Sequence, residues 1–299
     1  AYSFEKAESI NSTYEHQTSY VSKHHFSFVE SSEVMMTNIK RVQQAIVEGE
    51  TYQVNYTARL TDNIYYPIST LYERLTQFSN GNYTALLQTD EIQVASISPE
   101  LFFQKGQFNN VDNVIISKPM KGTMPRGKTE AEDQQYYKTL QTSSKDRAEN
   151  VMIVDLLRND IGRISQSGSI KVYKLFFIEA YKTVFQMTSM VSGTLKTNTD
   201  LTQILTSLFP CGSITGAPKL NTMKYIKQLE SSPRGIYCGA IGLLLPTEDD
   251  KMIFNIPIRT IEYKYGQAIY GVGAGITIDS KPKDEVNEFY AKTKILEML

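Results

Sequence analysis

The sequence has few of the residues on which cysteine or histidine chemistry depends. Only two of its 299 residues are cysteines, Cys211 and Cys238, and each is followed by a glycine. Two thiols cannot form the disulfide framework of a small secreted protein, so we expect a reducing cytoplasm and two small packing residues. The three histidines, His16, His24 and His25, lie near the N-terminus, away from every motif described below. A histidine-based catalytic triad and a zinc site are therefore not expected.

Long apolar runs and an excess of charge are also lacking. No apolar stretch approaches the roughly 18 residues that a membrane-spanning helix needs, and the first 17 residues are polar, unlike a signal peptide. The 31 basic and 32 acidic residues leave a net charge of −1, which gives no electrostatic reason to expect a nucleic-acid or membrane partner. With 41% hydrophobic and 21% charged residues, the composition is that of a globular protein with a sizeable core.

Hydrophobic periodicity predicts helices and strands in separate groups. Apolar residues at helical spacing predict helices over 33–48, 67–78, 131–157 (one long helix or a broken one), 201–208, 220–229 and 283–299. Alternating, β-rich stretches predict strands over 51–60, 84–88, 91–98, 101–105, 170–178, 183–195, 237–245, 252–261 and 268–272. Segments 118–128 and 211–219 are predicted to be shaped loops because of their glycines and prolines. Since the strands come in meander-like groups, we predict the α+β class with largely antiparallel sheets.

The segment PMKGTMPRG, residues 119–127, presents a lysine on a stretch whose prolines and glycines restrict the backbone. A lysine held in this way can be aimed at a ligand. Partial desolvation lowers its pKa, and the neutral amine is then a nucleophile. Lys121 is therefore a candidate nucleophile. The alternative is that Lys121 is a solvated surface charge, as most loop lysines are.

Two segments with helical periodicity each place a pair of carboxylates on one face. Asp146 and Glu149 are three residues apart in DRAENVMIVDLLRND. Glu285 and Glu288 have the same spacing in KDEVNEFYAKTKIL, where Lys292 follows Glu288 by one turn. Carboxylate pairs of this kind could hold Mg²⁺. The alternative is that both are solvated faces whose charges pair with neighbouring basic residues.

Two segments of small residues offer backbone N–H groups as hydrogen-bond donors. CGSITGAPK, residues 211–219, and GVGAGI, residues 271–276, suit the binding of carboxylates or phosphates. Neither has the spacing of a Walker A motif or of the dinucleotide-binding fingerprint, so a nucleotide site is not supported. The alternative is that both are tight turns.

Taken together, these segments resemble the chorismate-utilising enzymes, a family that includes anthranilate, aminodeoxychorismate, isochorismate and salicylate synthases. The resemblance rests on GETYQVN, ISPELF, PMKGTMPRG, AENVMIVDLLRND, FPCGSITGAPK, SPRGIYCGAIG, IPIRT, GVGAGI and the acidic C-terminal helix, all in the family's order. It implies the chorismate-binding-enzyme fold, two largely antiparallel β-sheets packed as a sandwich with helices on the outside. Residues 32–299 would then be the catalytic domain, and residues 1–31 the remnant of an N-terminal region.

The resemblance also implies a role for each matched residue. Glu149 and Glu288 match the glutamates that hold Mg²⁺, and Asp146 and Glu285 match supporting acids. Glu100 matches the general acid at the departing C4 hydroxyl of chorismate, a role that requires a raised pKa. The positions that match those around the substrate are Thr215, Tyr237, Arg259, Gly273, Ala274, Gly275 and Lys292. Of these, Arg259 offers a planar fork suited to the enolpyruvyl carboxylate.

Two further positions separate the branches of the family. Gln53 stands where isochorismate and salicylate synthases carry a lysine that activates water. Lys121 stands where anthranilate synthases resemble PIAGT and aminodeoxychorismate synthases resemble PIKGT. The resemblance therefore implies amination of chorismate to 4-amino-4-deoxychorismate through a covalent bond to Lys121, on the route to 4-aminobenzoate and folate. Ammonia would come from a separate glutaminase subunit. The alternatives are anthranilate formation for tryptophan biosynthesis and, as a third, a non-catalytic partner subunit.

The chain departs from the family at two points. Ser189, in the stretch SMVS, stands where many relatives have a histidine near the substrate. Much of the N-terminal region of full-length members is also lacking, so any tryptophan-binding site in that region is in doubt.

Overall fold

The computed structural model describes residues 25–64, 66–78, 81–182, 184–247, 250–264 and 266–299. Its α-helices are α1 (Ser32–Val47), α2 (Ile68–Phe78), α3 (Glu130–Thr142), α4 (Ser144–Ile164), α5 (Leu201–Leu208), α6 (Lys219–Leu229) and α7 (Pro282–Lys292), with 3-10 helices at Gly212–Ile214 and Thr293–Met298. Each predicted helix is present, and the long one is broken at Ser143, which ends α3 and caps α4. Within these ranges, no helix has the length and apolarity that crossing a membrane requires.

The strands form two antiparallel sheets. They are β1 (Ser27–Phe28), β2 (Gln53–Asp62), β3 (Tyr83–Gln88), β4 (Gln93–Ser98), β5 (Leu101–Phe108), β6 (Val111–Lys118), β7 (Met120–Pro125), β8 (Lys171–Ala180), β9 (Val184–Thr194), β10 (Gly216–Ala217), β11 (Ile241–Leu244), β12 (Met252–Asn255), β13 (Thr260–Lys264) and β14 (Gln267–Ile276). The first sheet has the order β1-β2-β14-β13-β4-β3, with β10 also paired to β2. The second has the order β11-β12-β5-β6-β9-β7, with β8 paired to β9. The predicted α+β class with antiparallel sheets is confirmed.

Each sheet is covered by its own helices. The first sheet shares a core with α1, α2 and α7, which includes Ile39, Leu71 and Phe289. The second shares a core with α4 and α5, which includes Ile153 and Ile204. Burial of these apolar side chains is the main force that holds the helices to the sheets. As a result, α4 lies on the second sheet and α7 on the first, and the predicted carboxylate pairs come from different layers.

A direct link joins the two sheets. The side-chain N–H of Asn255, at the end of β12, donates to the carbonyl of Tyr83 in β3 at 2.6 Å. At the same end of the molecule, the N–H of Ile256 donates to the carbonyl of Glu100, which lies between β4 of the first sheet and β5 of the second. Glu100 therefore sits where the chain crosses from one sheet to the other.

Segment 118–128 is not the irregular loop that its prolines and glycines predict. It contains the end of β6 and all of β7, and β7 pairs with β9. Pro125 is tolerated because it is the last residue of β7, and Gly122 is accommodated by a shift in register. The strand β6 itself falls in a stretch for which the sequence predicts no element.

Four other features differ from the expectations. The predicted strand 252–261 is divided between the sheets, because Pro257 lacks the N–H that a continuous ladder needs. Of the predicted strand 237–245, only Ile241–Leu244 is a strand. The GVGAGI segment lies within β14 and is not a tight turn. The C-terminal α-helix ends at Lys292 and continues as a 3-10 helix.

Some predictions fall on residues outside the described ranges. These are His16, His24 and the first residue of the predicted strand 183–195. Residues 1–24 of the predicted N-terminal remnant lie outside them as well, while Ser27–Phe28 forms β1 at the edge of the first sheet. The domain boundary at residue 32 stays a prediction.

The packing of α4 gives a direct test of this fold. Ile153 is fully buried against the second sheet, whereas Val151 on the same helix is 39% exposed. Ile153→Ala should lower the free energy of unfolding by about 2–5 kcal/mol, and Val151→Ala by no more than about 0.5 kcal/mol. Urea denaturation of both variants measures the difference. Equal losses would mean that α4 does not pack through this face.

Candidate active site

Lys121 lies in a β-bulge of β7 that faces the first turn of α4. The register between β7 and β9 shifts across Lys121 and Gly122, so these two residues bulge out of the ladder. Gly122 has a φ of +82°, and a Cβ at this position would lie 2.9 Å from the side chain of Asp146. The side-chain N–H of Gln186 in β9 donates to the carbonyl of Gly122 at 2.7 Å. The bulge therefore holds Lys121 at a fixed place beside α4.

The first turns of α4 present Asp146 and Glu149 to this bulge. Ser143 caps the helix by accepting the backbone N–H of Asp146 at 3.2 Å. Lys121 Nζ lies 3.9 Å from Glu149 Oε2, and the two side chains are only 13% and 16% exposed. Burial raises the pKa of Glu149, and the charges of Lys121 and Lys145 offset part of this rise. The candidate nucleophile and one predicted metal ligand therefore form a largely buried ion pair.

The second carboxylate pair and Lys292 come from α7. Glu285 is buried and accepts a hydrogen bond from Ser280 Oγ at 2.7 Å. Burial raises the pKa of Glu285, and the charge of Glu288 adds to this rise. Burial acts on Glu288 in the same direction. Its ion pair with Lys292 at 2.7 Å, together with the charges of Lys145 and Lys121, outweighs burial and keeps the pKa of Glu288 below its usual range. The charge of Glu285 also adds to the raised pKa of Glu149, so the carboxylates of α4 and α7 act on one another.

Gly273 and Gly275 direct their backbone groups away from β2. Opposite them in the ladder are Thr57 and Asn55, whose N–H groups donate to acceptors on the other side of β2. Residues that face each other in an antiparallel ladder point their backbone groups either both inward or both outward, so those of Gly273 and Gly275 point outward. In agreement, Lys292 Nζ donates to the carbonyl of Gly273 at 2.6 Å. The GVGAGI segment thus offers backbone donors at the edge of a strand.

Gly275 allows two side chains to approach β14 closely. A Cβ at this position would collide with Gln53 Nε2 and would lie 3.3 Å from Lys121 Nζ. The neighbouring Ala274 is buried in the core of the first sheet. The strand position predicted to contact substrate therefore lies directly beside the candidate nucleophile.

Glu100 is 5% exposed, between β4 and β5. Burial raises its pKa to about 7, while a hydrogen bond with Ser213 and the charge of Lys121 limit the rise. Among the described residues, its Oε1 atom has no hydrogen-bond partner. A carboxyl group with this pKa is protonated in a large share of the molecules at neutral pH, which a general acid requires.

The other predicted substrate residues are held by neighbouring backbone and side chains. The carbonyl of Thr215 accepts the backbone N–H of Asn55 at 2.7 Å. Tyr237 is buried, with the guanidinium of Arg59 5.0 Å from its ring centroid. Arg259 lies just before β13 and has a φ of +50°. Burial raises the pKa of Tyr270, and the charge of Arg259 counteracts part of this rise. These three residues belong to the same end of the first sheet as the glycine-rich part of β14.

The sequence profile of one family, described as chorismate binding enzyme, matches residues 2–298 of the chain. The chain belongs to the chorismate-binding enzyme family. The predicted fold is confirmed by this match together with the two antiparallel sheets.

Individual relatives support the same assignment. The chain is 39% identical over 254 residues to aminodeoxychorismate synthase component 1 of Bacillus subtilis (strain 168), which covers 85% of this chain and 53% of that protein. It is 34% identical over 260 residues to anthranilate synthase component 1 3 of Haloarcula marismortui, covering 86% of this chain and 50% of that protein. The crystal structure of anthranilate synthase component I from Streptococcus pneumoniae TIGR4 superposes with a TM-score of 0.82 at 29% identity, over 92% of this chain and 60% of that one. The chain spans between about a third and a little over half of the length of the curated relatives it matches.

The carboxylates of this chorismate-binding enzyme are oxygen ligands of the kind that a hard cation binds. In the described ranges, no three side chains of histidine, cysteine, aspartate or glutamate converge closely enough to hold a metal ion. Glu285 raises the pKa of Glu149, and Glu288 raises the pKa of Glu285, so the carboxylates of α4 and α7 place negative charge and oxygen ligands in one region. Oxygen donors are the ligands that Mg²⁺ prefers. The Mg²⁺ site and its ligands stay a prediction.

Several side-chain contacts that shape the site were missed by sequence reasoning. Gln186 holds the bulge, and Ser213 bonds to Glu100. Ser189 donates to Asn150 Oδ1 at 2.5 Å and accepts the N–H of Phe176 at 3.1 Å. Ser189 therefore ties β9 to α4 one residue beyond Glu149. Of these, only Ser189 carried a signal in the sequence, as a departure from the family.

The buried carboxyl of Glu100 predicts a specific dependence of stability on pH. Its pKa of about 7 in the folded chain lies above the ordinary value of 4.5, so the folded state keeps a proton that the unfolded state loses. The stability that this proton contributes is fully present below pH 4.5 and is lost as the pH rises through about 7. The loss is on the order of 3 kcal/mol.

Glu100→Gln, which cannot ionise, should lack this component of the pH dependence. Between about pH 5 and pH 8 the wild type should lose unfolding free energy that the variant keeps, so the variant should become more stable relative to the wild type as the pH rises. Urea denaturation at several pH values measures it. A gap that stays constant across this range would show that Glu100 has an ordinary pKa.

Proposed function

We propose that this chain is the catalytic part of an aminodeoxychorismate synthase. It would convert chorismate and ammonia to 4-amino-4-deoxychorismate, on the route to 4-aminobenzoate and folate. The observation that carries the proposal is the placement of Lys121 Nζ beside both Glu149 and the edge of β14 at Gly275. A solvated loop lysine would not be 13% exposed and fixed by a bulge.

Anthranilate synthesis is the second candidate, because relatives with that name match the chain too. The anthranilate branch resembles PIAGT where this chain reads PMKGT, so it has no amine at the position of Lys121. A non-catalytic role is disfavoured by the joint presence of Lys121, Glu100 and the carboxylates of α4 and α7. The aminodeoxychorismate branch is therefore favoured.

The proposed reaction consists of two substitutions. Lys121 reacts in its neutral form, after loss of its proton to solvent. The lone pair of Nζ forms a bond to C2 of chorismate, the ring double bond shifts, and the C4 hydroxyl leaves with the proton of Glu100 as water. The lone pair of ammonia then forms a bond to C4, the double bond shifts back, and the electron pair of the C2–N bond returns to Nζ. The new ammonium group gives up a proton that restores Glu100, so the sum is chorismate plus ammonia giving product plus water. A covalent intermediate divides one difficult substitution into two easier ones.

Mg²⁺ would be held by Glu149 and Glu288, with Asp146 and Glu285 as supporting acids. When bound, it would supply a positive charge that neutralises the ring carboxylate. The fork of Arg259 would bind the enolpyruvyl carboxylate, near Tyr237 and Thr215. The backbone N–H groups of the glycines in β14 and the amine of Lys292 would complete the polar wall around the substrate. Each of these groups is a hydrogen-bond donor or a cation, which suits chorismate with its two carboxylates.

The source of ammonia would be a separate glutaminase subunit. In support, relatives of the aminodeoxychorismate branch are named as component 1 of their enzyme. Two buried free cysteines are consistent with the reducing cytoplasm that we expect for this chain. We propose no nucleic-acid or membrane partner.

Replacement of Lys121 tests the nucleophile. Lys121→Ala should abolish turnover of chorismate in the presence of ammonium, because no covalent intermediate can form. Lys128→Ala, an exposed lysine in the same segment, should turn over chorismate at close to the wild-type rate. Intact-protein mass spectrometry with chorismate and no ammonium should show an adduct on the wild type and on Lys128→Ala, but not on Lys121→Ala. Wild-type turnover by Lys121→Ala would remove Lys121 from the reaction.

Replacement of the glutamates tests the metal site. Glu149→Gln and Glu288→Gln should each weaken Mg²⁺ binding at least about tenfold, because each removes a charged oxygen ligand. Asp155→Asn provides the control, since Asp155 is on α4 but pairs with Arg158 at the surface. Titration of Mg²⁺ by calorimetry, with and without chorismate, measures binding without relying on turnover. Unchanged affinity in both glutamate variants would exclude these two residues as ligands.

A further inference from the structure

The ring of Tyr237 lies against a glycine and an arginine of the first sheet. Gly271 of β14 and Arg59 of β2 face each other in the ladder between these strands. A Cβ on Gly271 would collide with the Tyr237 ring, so the ring can lie on β14 only because this residue is a glycine. The guanidinium carbon of Arg59 lies 5.0 Å from the centroid of the same ring. Arg59 is 6% exposed, so this cation–π contact is buried.

The positive charge of Arg59 has no carboxylate of its own. Glu230, which is buried, lies 3.6 Å from Arg59 Nη2. Arg234 binds the same carboxylate more closely, at 2.6 Å through Nη2 and at 3.0 Å through Nε. Among the residues that the structure describes, Glu230 is the only acidic side chain that pairs with either arginine. Two guanidinium groups therefore share one carboxylate, and one positive charge is left over in a buried place, where it is costly.

One nitrogen of Arg59 also lacks an acceptor. Nη1 donates to Thr57 Oγ1 at 2.8 Å. Within the described ranges, Nη2 is buried and has no hydrogen-bond partner. Buried polar atoms almost always have one, and an exception is completed by a ligand or a bound water. The surplus charge and the missing acceptor are both satisfied by an anionic oxygen beside Tyr237.

The distance from the candidate nucleophile limits which part of a substrate can approach this arginine. Gly271 and Gly275 are four residues apart in β14, which separates them by roughly 13 Å. Lys121 Nζ lies beside Gly275, whereas Tyr237 lies on Gly271. Arg59 and Tyr237 therefore lie at the end of the glycine-rich stretch that is farther from Lys121. When a ring carbon of a ligand meets Lys121, only a group that extends from the ring can approach Tyr237.

We infer that Arg59 is a positioning residue for the enolpyruvyl carboxylate of the substrate. This inference rests on the proposed function, in which Tyr237 lies near that carboxylate. Arg59 acts through Tyr237, because it contacts the ring from within the protein and adds a positive charge that the bound carboxylate compensates. Arg259 would bind the same carboxylate directly. The two arginines would thus act together on one end of the substrate.

Equilibrium binding of chorismate, measured by calorimetry in the presence of Mg²⁺, tests this role. All chains carry Lys121→Ala, so that no covalent bond to chorismate can form. Arg59→Met removes the charge, whereas Arg59→Lys keeps the charge and removes the planar group. Arg74→Met is the matched control, since the guanidinium of Arg74 in α2 also lies over a tyrosine ring, 5.8 Å from the centroid of Tyr66, outside the site.

Arg59→Met should weaken chorismate binding about tenfold or more, because the carboxylate loses a buried positive charge. Arg59→Lys should stay within about threefold of the parent chain, and Arg74→Met should bind chorismate as the parent chain does. Unchanged binding in Arg59→Met would overturn the inference and would mean that Nη2 binds water only. Equal losses in Arg59→Met and Arg59→Lys would also overturn it, since they would assign the effect to packing and not to charge.

Two further measurements keep the result decisive. If thermal unfolding shows that Arg59→Met does not fold, Arg59→Gln repeats the test, because it also removes the charge. Turnover of chorismate and ammonium by the wild type is measured in parallel, and a lack of 4-amino-4-deoxychorismate would contradict the proposed function itself. Formation of that product by the wild type, together with unchanged chorismate binding in the folded variant, would contradict only the role of Arg59.

Discussion

The pairing of β2 with β14 is the constraint on which the site depends. It joins Val54–Asp62 to residues near the C-terminus, Ala268–Ile276, in one continuous antiparallel ladder. A pairing between segments so far apart in the sequence costs conformational entropy, and burial of the large core beneath the ladder must offset that cost. The ladder fixes Gln53 against Gly275 and sets the outward direction of the backbone at Gly273. The chain leaves this ladder at Ile276 and enters α7, which carries Glu288 and Lys292, at Pro282.

The second sheet contributes its residues to the site through the β-bulge in β7. The bulge at Lys121 and Gly122 turns a lysine of β7 toward the carboxylates of α4. Within the site, two lysines from different layers each pair with a glutamate, Lys121 with Glu149 and Lys292 with Glu288. The Lys121–Glu149 pair compensates charges that burial would otherwise make costly, whereas the side chains of Lys292 and Glu288 are 44% and 48% exposed. Glu100, with a pKa of about 7, is the carboxyl group best placed to carry a proton at neutral pH.

The fold class and the helices could be predicted because they follow from local apolar periodicity. Helix α5 has the predicted bounds, and the amphipathic stretch before Gly49 forms α1. The course of segment 118–128 could not be predicted, because its pairing with β9 and the bulge depend on a partner strand far along the chain. The division of 252–261 between two sheets has the same origin, although Pro257 gave a signal that a continuous strand was excluded.

Site residues could be named from the sequence, but not their contacts. The motif strings identified Lys121, Glu100 and the carboxylates one at a time. Their proximity depends on side-chain packing between two layers, for which a single sequence carries no distance information. The roles of Gln186 in the bulge and of Asn150 beside Ser189 are contacts of this kind.

Under the proposed function, a lysine-bearing site on this fold aminates chorismate without forming an aromatic product. Product identification tests it most directly. The chain is incubated with chorismate, Mg²⁺ and ammonium, and the products are separated and identified by mass spectrometry, with an aminodeoxychorismate lyase added in parallel. We expect 4-amino-4-deoxychorismate, which the lyase converts to 4-aminobenzoate. Anthranilate as the product would contradict it and would leave Lys121 without a role in the reaction.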